Sequence, residues 1–225
     1  TLIIQIQDTS DHSVGWRLPE DDTLRFNRIG YTGIGKNIIG LYVATLSLAN
    51  RIWKNEILDD SFAERCLQTA RKFYSMKDLV PDIDSSVSTY YKDTGFYGKL
   101  TLGSIELFES TNEKIFLNDA KTFSDSAGAD YWWSWGNMNS LAHFKIAKYD
   151  SSKIKFLRES VDFYFRNMKA SSFDEPLDYS WGTTNSFLGT ALTEILYRSL
   201  TNDKSYERLT STQRDFVLGR NKWGI

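Results

Sequence analysis

Cysteine, histidine and proline are scarce in this sequence: one, two and three residues among 225. A lone Cys66 excludes an internal disulfide and any cysteine-type metal site. Its spacing puts it on an apolar helix face, as a buried structural thiol. No run of about 18 apolar residues and no charged-then-apolar leader occurs, so no transmembrane or signal segment is read; the mature form of a secreted protein would lack a leader too. The net charge of −2 comes without a long run of either sign, which points away from nucleic acid and from an anionic membrane. Gly30, Gly33 and Gly35 do not have phosphate-loop spacing, and nucleotide binding is excluded with them.

Aromatic residues, by contrast, are abundant: 15%, with seven Trp and twelve Tyr. Leu2–Gln7 reads as a short strand or a buried extended run. Lys36–Trp53 is apolar nearly all round, as befits a helix inside a fold, whereas the next helix carries one stripe, Phe62, Cys66, Ala70, Phe73 and Tyr74, opened by a capping-box spacing at Ser61 and Glu64. The inner-then-outer alternation recurs. Tyr97–Glu109 is mostly apolar and Glu113–Phe123 mixed. Asn137–Lys148 is apolar, and Ser151–Met168 carries a stripe at Ile154, Leu157, Val161, Tyr164, Phe165 and Met168. Ser186–Leu200 is apolar, and Ser205–Leu218 is mixed, with Gly219 as its C-cap signal. Eight helices in four hairpins follow. Two turns nearly coincide: Thr111-Asn112-Glu113-Lys114 and Thr201-Asn202-Asp203-Lys204. Such a weak repeat suits a superhelical array or a closed barrel of hairpins. Uneven spacing and inner helices without a polar face favour the barrel.

The loops before the four inner helices share a character. They hold Asp11-His12 with Trp16; Tyr90-Tyr91-Lys92-Asp93 with Phe96-Tyr97; Tyr131-Trp132-Trp133-Ser134-Trp135-Gly136; and Asp178-Tyr179-Ser180-Trp181-Gly182. Parallel inner helices would gather these loops at one end. Flat rings cover the apolar faces of sugars while polar groups at the edge bind hydroxyls, so the expected ligand is an oligosaccharide or polysaccharide. Pro19 keeps Asp11–Glu20 extended or looped. The bland alternative there is a surface loop whose Trp16 plugs into the core.

Several motifs, in order along the chain, resemble glycoside hydrolase family 9, the inverting cellulases and their relatives. These are Asp11-His12, Trp16 and Pro19-Glu20; Gly98-Lys99-Leu100 through Ile105-Glu106-Leu107-Phe108-Glu109-Ser110-Thr111-Asn112 to Phe116-Leu117 and Ala120; Trp135-Gly136; Trp181-Gly182; and Gln213, Asp215-Phe216-Val217-Leu218-Gly219 and Asn221. The resemblance implies an all-α fold of the (α/α)6-barrel type. About four of its six hairpins would be present, so residues 1–225 are expected to form part of a single catalytic domain, truncated at both ends. It implies that His12 and Trp16 contact the sugar next to the cleavage point and that Tyr91, Trp135 and Trp181 line neighbouring subsites. It also implies an extracellular or periplasmic place.

Two departures touch specificity: Thr183-Thr184-Asn185 follows Trp181-Gly182 where the family has Ser-x-Arg-Tyr, and Lys222 replaces a proline. An inverting hydrolase needs an acid and a base about 6.5–9.5 Å apart. The resemblance puts its Asp base upstream and its Glu acid downstream of these residues, which leaves the catalytic pair unassigned. Asp82 with Asp84, Asp93, and Asp174 with Glu175 are in-chain candidates, read first as caps and solvated loop acids. No organic cofactor is expected and no metal ligand is assigned. The leading function is a cellulase-like hydrolase acting on a β-linked glucan or related oligosaccharide, with the rest of its own domain as a partner. The alternatives are a non-catalytic carbohydrate-binding protein on the same scaffold and a helical-repeat interaction module. His143, mid-helix among apolar neighbours, is expected to be structural.

Overall fold

The computed structural model describes residues 2–23, 28–84, 93–133, 136–169, 173–180, 182–221 and 224, with only the backbone of residues 7, 9 and 12. Among the described residues lie eight α-helices: α1 (Lys36–Ile52), α2 (Asp60–Ser75), α3 (Tyr97–Thr111), α4 (Lys114–Ala127), α5 (Asn139–Ala147), α6 (Ile154–Arg166), α7 (Thr183–Thr201) and α8 (Glu207–Val217). They form four hairpins, and the odd-numbered helices pack in succession, α1 on α3, α3 on α5 and α5 on α7. The fold is therefore all-α, with inner and outer helices as the alternation of patterns required.

A small sheet departs from that reading. β1 (Leu2–Gln7) pairs antiparallel with β2 (Ile29–Gly33), with a bulge between Ile3 and Gln5. Gly30 and Gly33, noted in the sequence only for lacking phosphate-loop spacing, lie in the second strand of this ribbon. Two glycines in five residues masked the strand pattern. The α2 start also differs. Asp59 is the N-cap, its carboxylate accepting from Phe62 N at 2.9 Å, so Ser61 and Glu64 lie inside the helix. Residues Ser151–Lys153 form a 3-10 turn ahead of α6, capped by Asp150.

Inner helices approach closely because small residues face one another. A methyl group at Gly40 of α1 would overlap the Lys99 backbone of α3, and one at Gly103 would sit 2.7 Å from the Gly40 carbonyl oxygen. Every residue from Gly98 to Phe108 of α3 is buried. The outer helices bury one stripe each. On α2 it is Ala63, Cys66, Ala70 and Tyr74. On α6 it is Phe156, Leu157, Ser160, Val161 and Tyr164, whereas Phe165 points outward.

Contacts at both ends show that α1, α3 and α5 run parallel. At their starts, Asn37 of α1 donates to Asp93, which Lys99 of α3 also binds, and a methyl at Gly98 of α3 would overlap the Asn139 side chain of α5. At their ends, Arg51 of α1 pairs with Glu106 and with Glu109 (3.0 Å) of α3, and Lys145 of α5 meets the same two acids at 2.9 and 2.6 Å. The outermost inner helices keep apolar faces toward water: Leu188, Leu192 and Ile195 on α7, and Leu48 and Ile52 on α1.

The two similar sequence turns are one structure made twice. Asn112 (φ 59°) and Asn202 (φ 58°) both close their helices in the left-handed region. In each, the preceding Thr hydroxyl accepts from the second backbone N–H beyond it, Glu113 N at 3.2 Å and Asp203 N at 3.1 Å. Asn tolerates that φ where a β-carbon otherwise costs roughly 1–2 kcal/mol. Asn112→Ala and Asn202→Ala should each lower unfolding free energy by about 1 kcal/mol, and the Gly variants should stay within a few tenths, as measured by urea titration.

Candidate functional site

The loops before α3 and α5 meet above the starts of the inner helices, where a β-carbon at Gly136 would lie 3.2 Å from Asp93 Oδ1, and the second of them rests on the start of α7. Asp93 Oδ2 accepts from Asn37 Nδ2 (2.9 Å) and from the Lys99 ammonium, while Oδ1 accepts from Thr94 N at 2.9 Å. Residues 81–84 lie along the start of α1, where Lys36 N donates to Pro81 O at 2.9 Å and Asp84 N to Asn37 Oδ1 at 3.2 Å. In the next loop, the Trp132 indole donates to Ser186 Oγ of α7, Asn185 donates to Trp133 O at 3.0 Å, and Trp133 covers Gly189. Tyr131 packs on Phe163, centroids 4.7 Å apart, and donates its hydroxyl to Glu159. The described aromatics of this loop are thus anchors for it.

The Asp11–Asp22 segment stands at the far end of the β-ribbon. Its residues Thr9–His12 and Pro19–Asp21 form short 3-10 turns. Arg28 binds Asp11 through two nitrogens (3.0 and 2.8 Å) and Asp22 at 2.8 Å, and Arg17 Nε donates to Asp22 at 2.9 Å. The Arg28 guanidinium holds the Asp11 carboxyl below its usual range. This ring of charges frames an open cavity of about 480 Å3 lined by Asp11, Val14, Trp16, Arg17, Pro19 and Asp22. Trp16 is 88% exposed, so its ring is not a core plug. An indole held out to water beside arginines and carboxylates can stack on a sugar face and bind its hydroxyls. Of the other sequence-read contacts, Tyr91, Trp135 and Trp181 lie outside the described residues, as does the side chain of His12.

The in-chain acids are engaged with the scaffold. Asp82 pairs with Lys36 at 2.6 Å, Asp93 with Lys99, and Asp174 with Arg208 through two hydrogen bonds of 2.8 and 2.7 Å. Glu175 is buried and accepts from the Tyr179 hydroxyl at 2.7 Å. Among the described residues no cluster of three or more His, Cys, Asp or Glu could hold a metal ion.

Asp130 was not singled out in the sequence, and Lys99 was named only as part of the Gly98-Lys99-Leu100 motif, with no role assigned. Asp130 is buried, accepts from Ser140 N at 3.0 Å at the start of α5, and is pushed up to about 6 by burial. The clue to Lys99 was a lysine inside a helix with no polar face. His143 is fully buried. Its Nε2–H donates to Gly128 O (2.7 Å) and its Nδ1 accepts from Ser124 Oγ (2.9 Å), and burial lowers it to about 4. That is a neutral, structural ring.

Comparison with known proteins follows from this geometry. The profile of Glycosyl hydrolase family 9 matches residues 1–225. Endoglucanase 1 of Arabidopsis thaliana is 26% identical over 174 residues, 71% of this chain and 34% of that protein. Among solved structures, the fold is similar to the cellulase Cel9M of C. cellulolyticum (TM-score 0.77, 21% identity, 98% of this chain and 53% of that one). It is also similar to the endoglucanase of the termite Nasutitermes takasagoensis (TM-score 0.75, 19% identity, 96% and 52%). The chain spans about half the length of these structures and about a third of the plant relative.

The two shifted groups act on stability with opposite signs. His143, depressed when folded, takes up protons in the unfolded chain first, so its contribution falls as pH drops from about 6.5 to about 4. Asp130, raised when folded, keeps its proton longer in the folded state, so its contribution falls as pH rises from about 4 to about 6. Relative to the parent, Asp130→Asn should gain up to about 3 kcal/mol across that rise, and His143→Gln should lose about as much. Urea unfolding at a series of pH values reads both; parallel profiles for variant and parent would show that the groups are not perturbed.

Proposed function

The chain belongs to glycosyl hydrolase family 9, and from that premise we propose that the intact protein hydrolyses a β-linked glucan or related oligosaccharide, in cellulase-like fashion and with inversion. The observation that carries the reading is Trp16, 88% exposed on an open cavity beside the Asp11–Arg28–Asp22–Arg17 ring. A similar fold has been solved as a cellulase in complex with cellobiose. In this proposal Trp16, with Trp135, Trp181 and Tyr91, stacks on successive sugars, and His12 donates to a hydroxyl beside the scissile bond. A general acid protonates the leaving oxygen while a base activates water on the opposite face. Both carboxylates are those that the family resemblance puts outside residues 1–225. The exposed apolar faces of α7 and α1 are proposed to pack against the remainder of the same domain.

A second reading, carbohydrate binding without hydrolysis, is favoured by one observation: Asp82, Asp93 and Asp174 are each paired with a cation. Release of reducing sugar from a β-glucan by the intact protein selects the first reading, and binding without release selects the second.

Trp16→Ala, Trp135→Ala and Trp181→Ala should each weaken oligosaccharide binding by roughly 1–3 kcal/mol in calorimetry. The Trp16 variant should melt as the parent does, since its ring buries little. His12→Ala should lower turnover at nearly constant melting temperature. Unchanged affinity in all three folded Trp variants would overturn the sugar site.

A further inference from the structure

Arg17 lines the same open cavity as Trp16, with its side chain 23% exposed. Among the described residues only its Nε has a partner at ordinary hydrogen-bond distance, Asp22 Oδ1 at 2.9 Å. Nη1 is 3.5 Å from Gly15 O and Nη2 is 3.5 Å from Asp11 Oδ1. Both lie beyond the usual N–H···O range of about 2.7–3.2 Å. A guanidinium carries N–H donors on all three nitrogens in a fixed fork, so the outer edge of this one is weakly engaged. The acids of the ring are in the opposite condition. Arg28 donates to both oxygens of Asp11 at 3.0 and 2.8 Å and to Asp22 Oδ2 at 2.8 Å, and Arg17 takes the remaining Asp22 oxygen.

We propose that the outer edge of the Arg17 guanidinium is the hydrogen-bond donor to the sugar that stacks on Trp16, and that Asp22 fixes that edge for the task. The proposal rests on the sugar-site reading above and names the polar residue that completes it. An indole face holds a sugar ring without directing its hydroxyls, so a donor at the rim of the same cavity is needed to orient them. The ring's carboxylates are already taken by arginines, which leaves the Arg17 edge as the group with donors to spare. A salt bridge that served only to close the loop would use the fork of the guanidinium on the acid; here the acid holds Nε and the fork is left over. Anchoring through Nε also sets the fork's direction before the ligand arrives, which lowers the ordering cost of binding. The charges of the ring cancel, two acids against two arginines, while Glu20 and Asp21 beside it are exposed. A sugar carboxylate would meet repulsion there, and a neutral hydroxyl would not. The ligand group assigned to Arg17 is therefore a neutral hydroxyl.

The test is calorimetry on the intact protein with cellotetraose as the probe. Arg17→Met keeps the alkyl stem and loses the donors. It should weaken binding about tenfold, the scale of one hydrogen bond from a charged donor, with little change in melting temperature. Arg17→Lys, a charge without the fork, should recover only part of that loss. Asp22→Asn should weaken binding by the parent and add little in the Arg17→Met background, because it acts through Arg17. A cello-oligosaccharide oxidised to carry glucuronate should bind no tighter than cellotetraose. If Trp16→Ala weakens binding while Arg17→Met keeps the parent affinity, the Arg17 assignment is overturned and the sugar site stands. Parent affinity in both variants, or no binding by the parent, overturns the sugar reading of this loop and the assignment with it. Fully additive losses for Asp22→Asn and Arg17→Met overturn the role given to Asp22. Tighter binding of the glucuronate probe that disappears in Arg17→Met overturns the choice of a neutral hydroxyl.

Discussion

The constraint on which the rest depends is that α3 has no side facing water from Gly98 to Phe108. Each polar group on it must therefore be satisfied from within, and the partners of its charged groups come from other elements. Lys99 reaches Asp93 and Gly95, Ser104 meets the Tyr74 hydroxyl of α2 at 3.0 Å, and Glu106 takes Arg51 of α1 and Lys145 of α5. Apolar contacts in the middle tolerate sliding; these polar ones do not. Breaking one leaves an uncompensated buried charge, typically about 3–5 kcal/mol. The register of α1, α3 and α5 is thus set at both ends by charge and in the middle by the glycine crossing at Gly40 and Gly103.

A rigid inner layer lets the loops above it carry chemistry. The aromatic content divides accordingly. Tyr131, Trp132 and Trp133 are spent on fastening their loop to α6 and α7. Trp16 is offered to water, on a cavity it shares with Asp11, Arg17 and Asp22. The distinction is one of surroundings: a ring beside a buried glycine or serine packs, and a ring among paired arginines and acids is free to stack on something else.

The helices were legible in the sequence because apolar period and turn chemistry agreed. The repeated Thr-Asn turns are the clearest instance, since the left-handed φ of Asn112 and Asn202 is a property of that residue type. Boundaries slipped where two caps competed, as at Asp59 against Ser61. β2 was missed because its glycines carry no pattern. Of the site, Trp16 was legible as a candidate, but not the charge ring beside it, which needs Arg28, seventeen residues beyond Asp11 in sequence. The Lys99 cluster was illegible for the same reason: no local spacing joins Asn37, Asp93 and Lys99. Only the fold brings them together.

The segment that launches the Tyr131–Trp133 loop is gripped at both sides by groups of opposite electrostatic need. Gly128 O accepts from His143, which must stay neutral to keep Ser124 Oγ as a donor to its other nitrogen. Two residues on, Asp130 holds the start of α5 through the Ser140 and Asn139 backbone N–H groups, a role suited to a carboxylate. Protonating His143 would put a cation against Lys153 and Lys155, which already disfavour it. Ionising Asp130 instead gains the attraction of Lys99. Near neutral pH both groups are in the form their partners favour, and the loop is fixed from two directions. The burial that makes each group costly is the same burial that makes the loop's position definite.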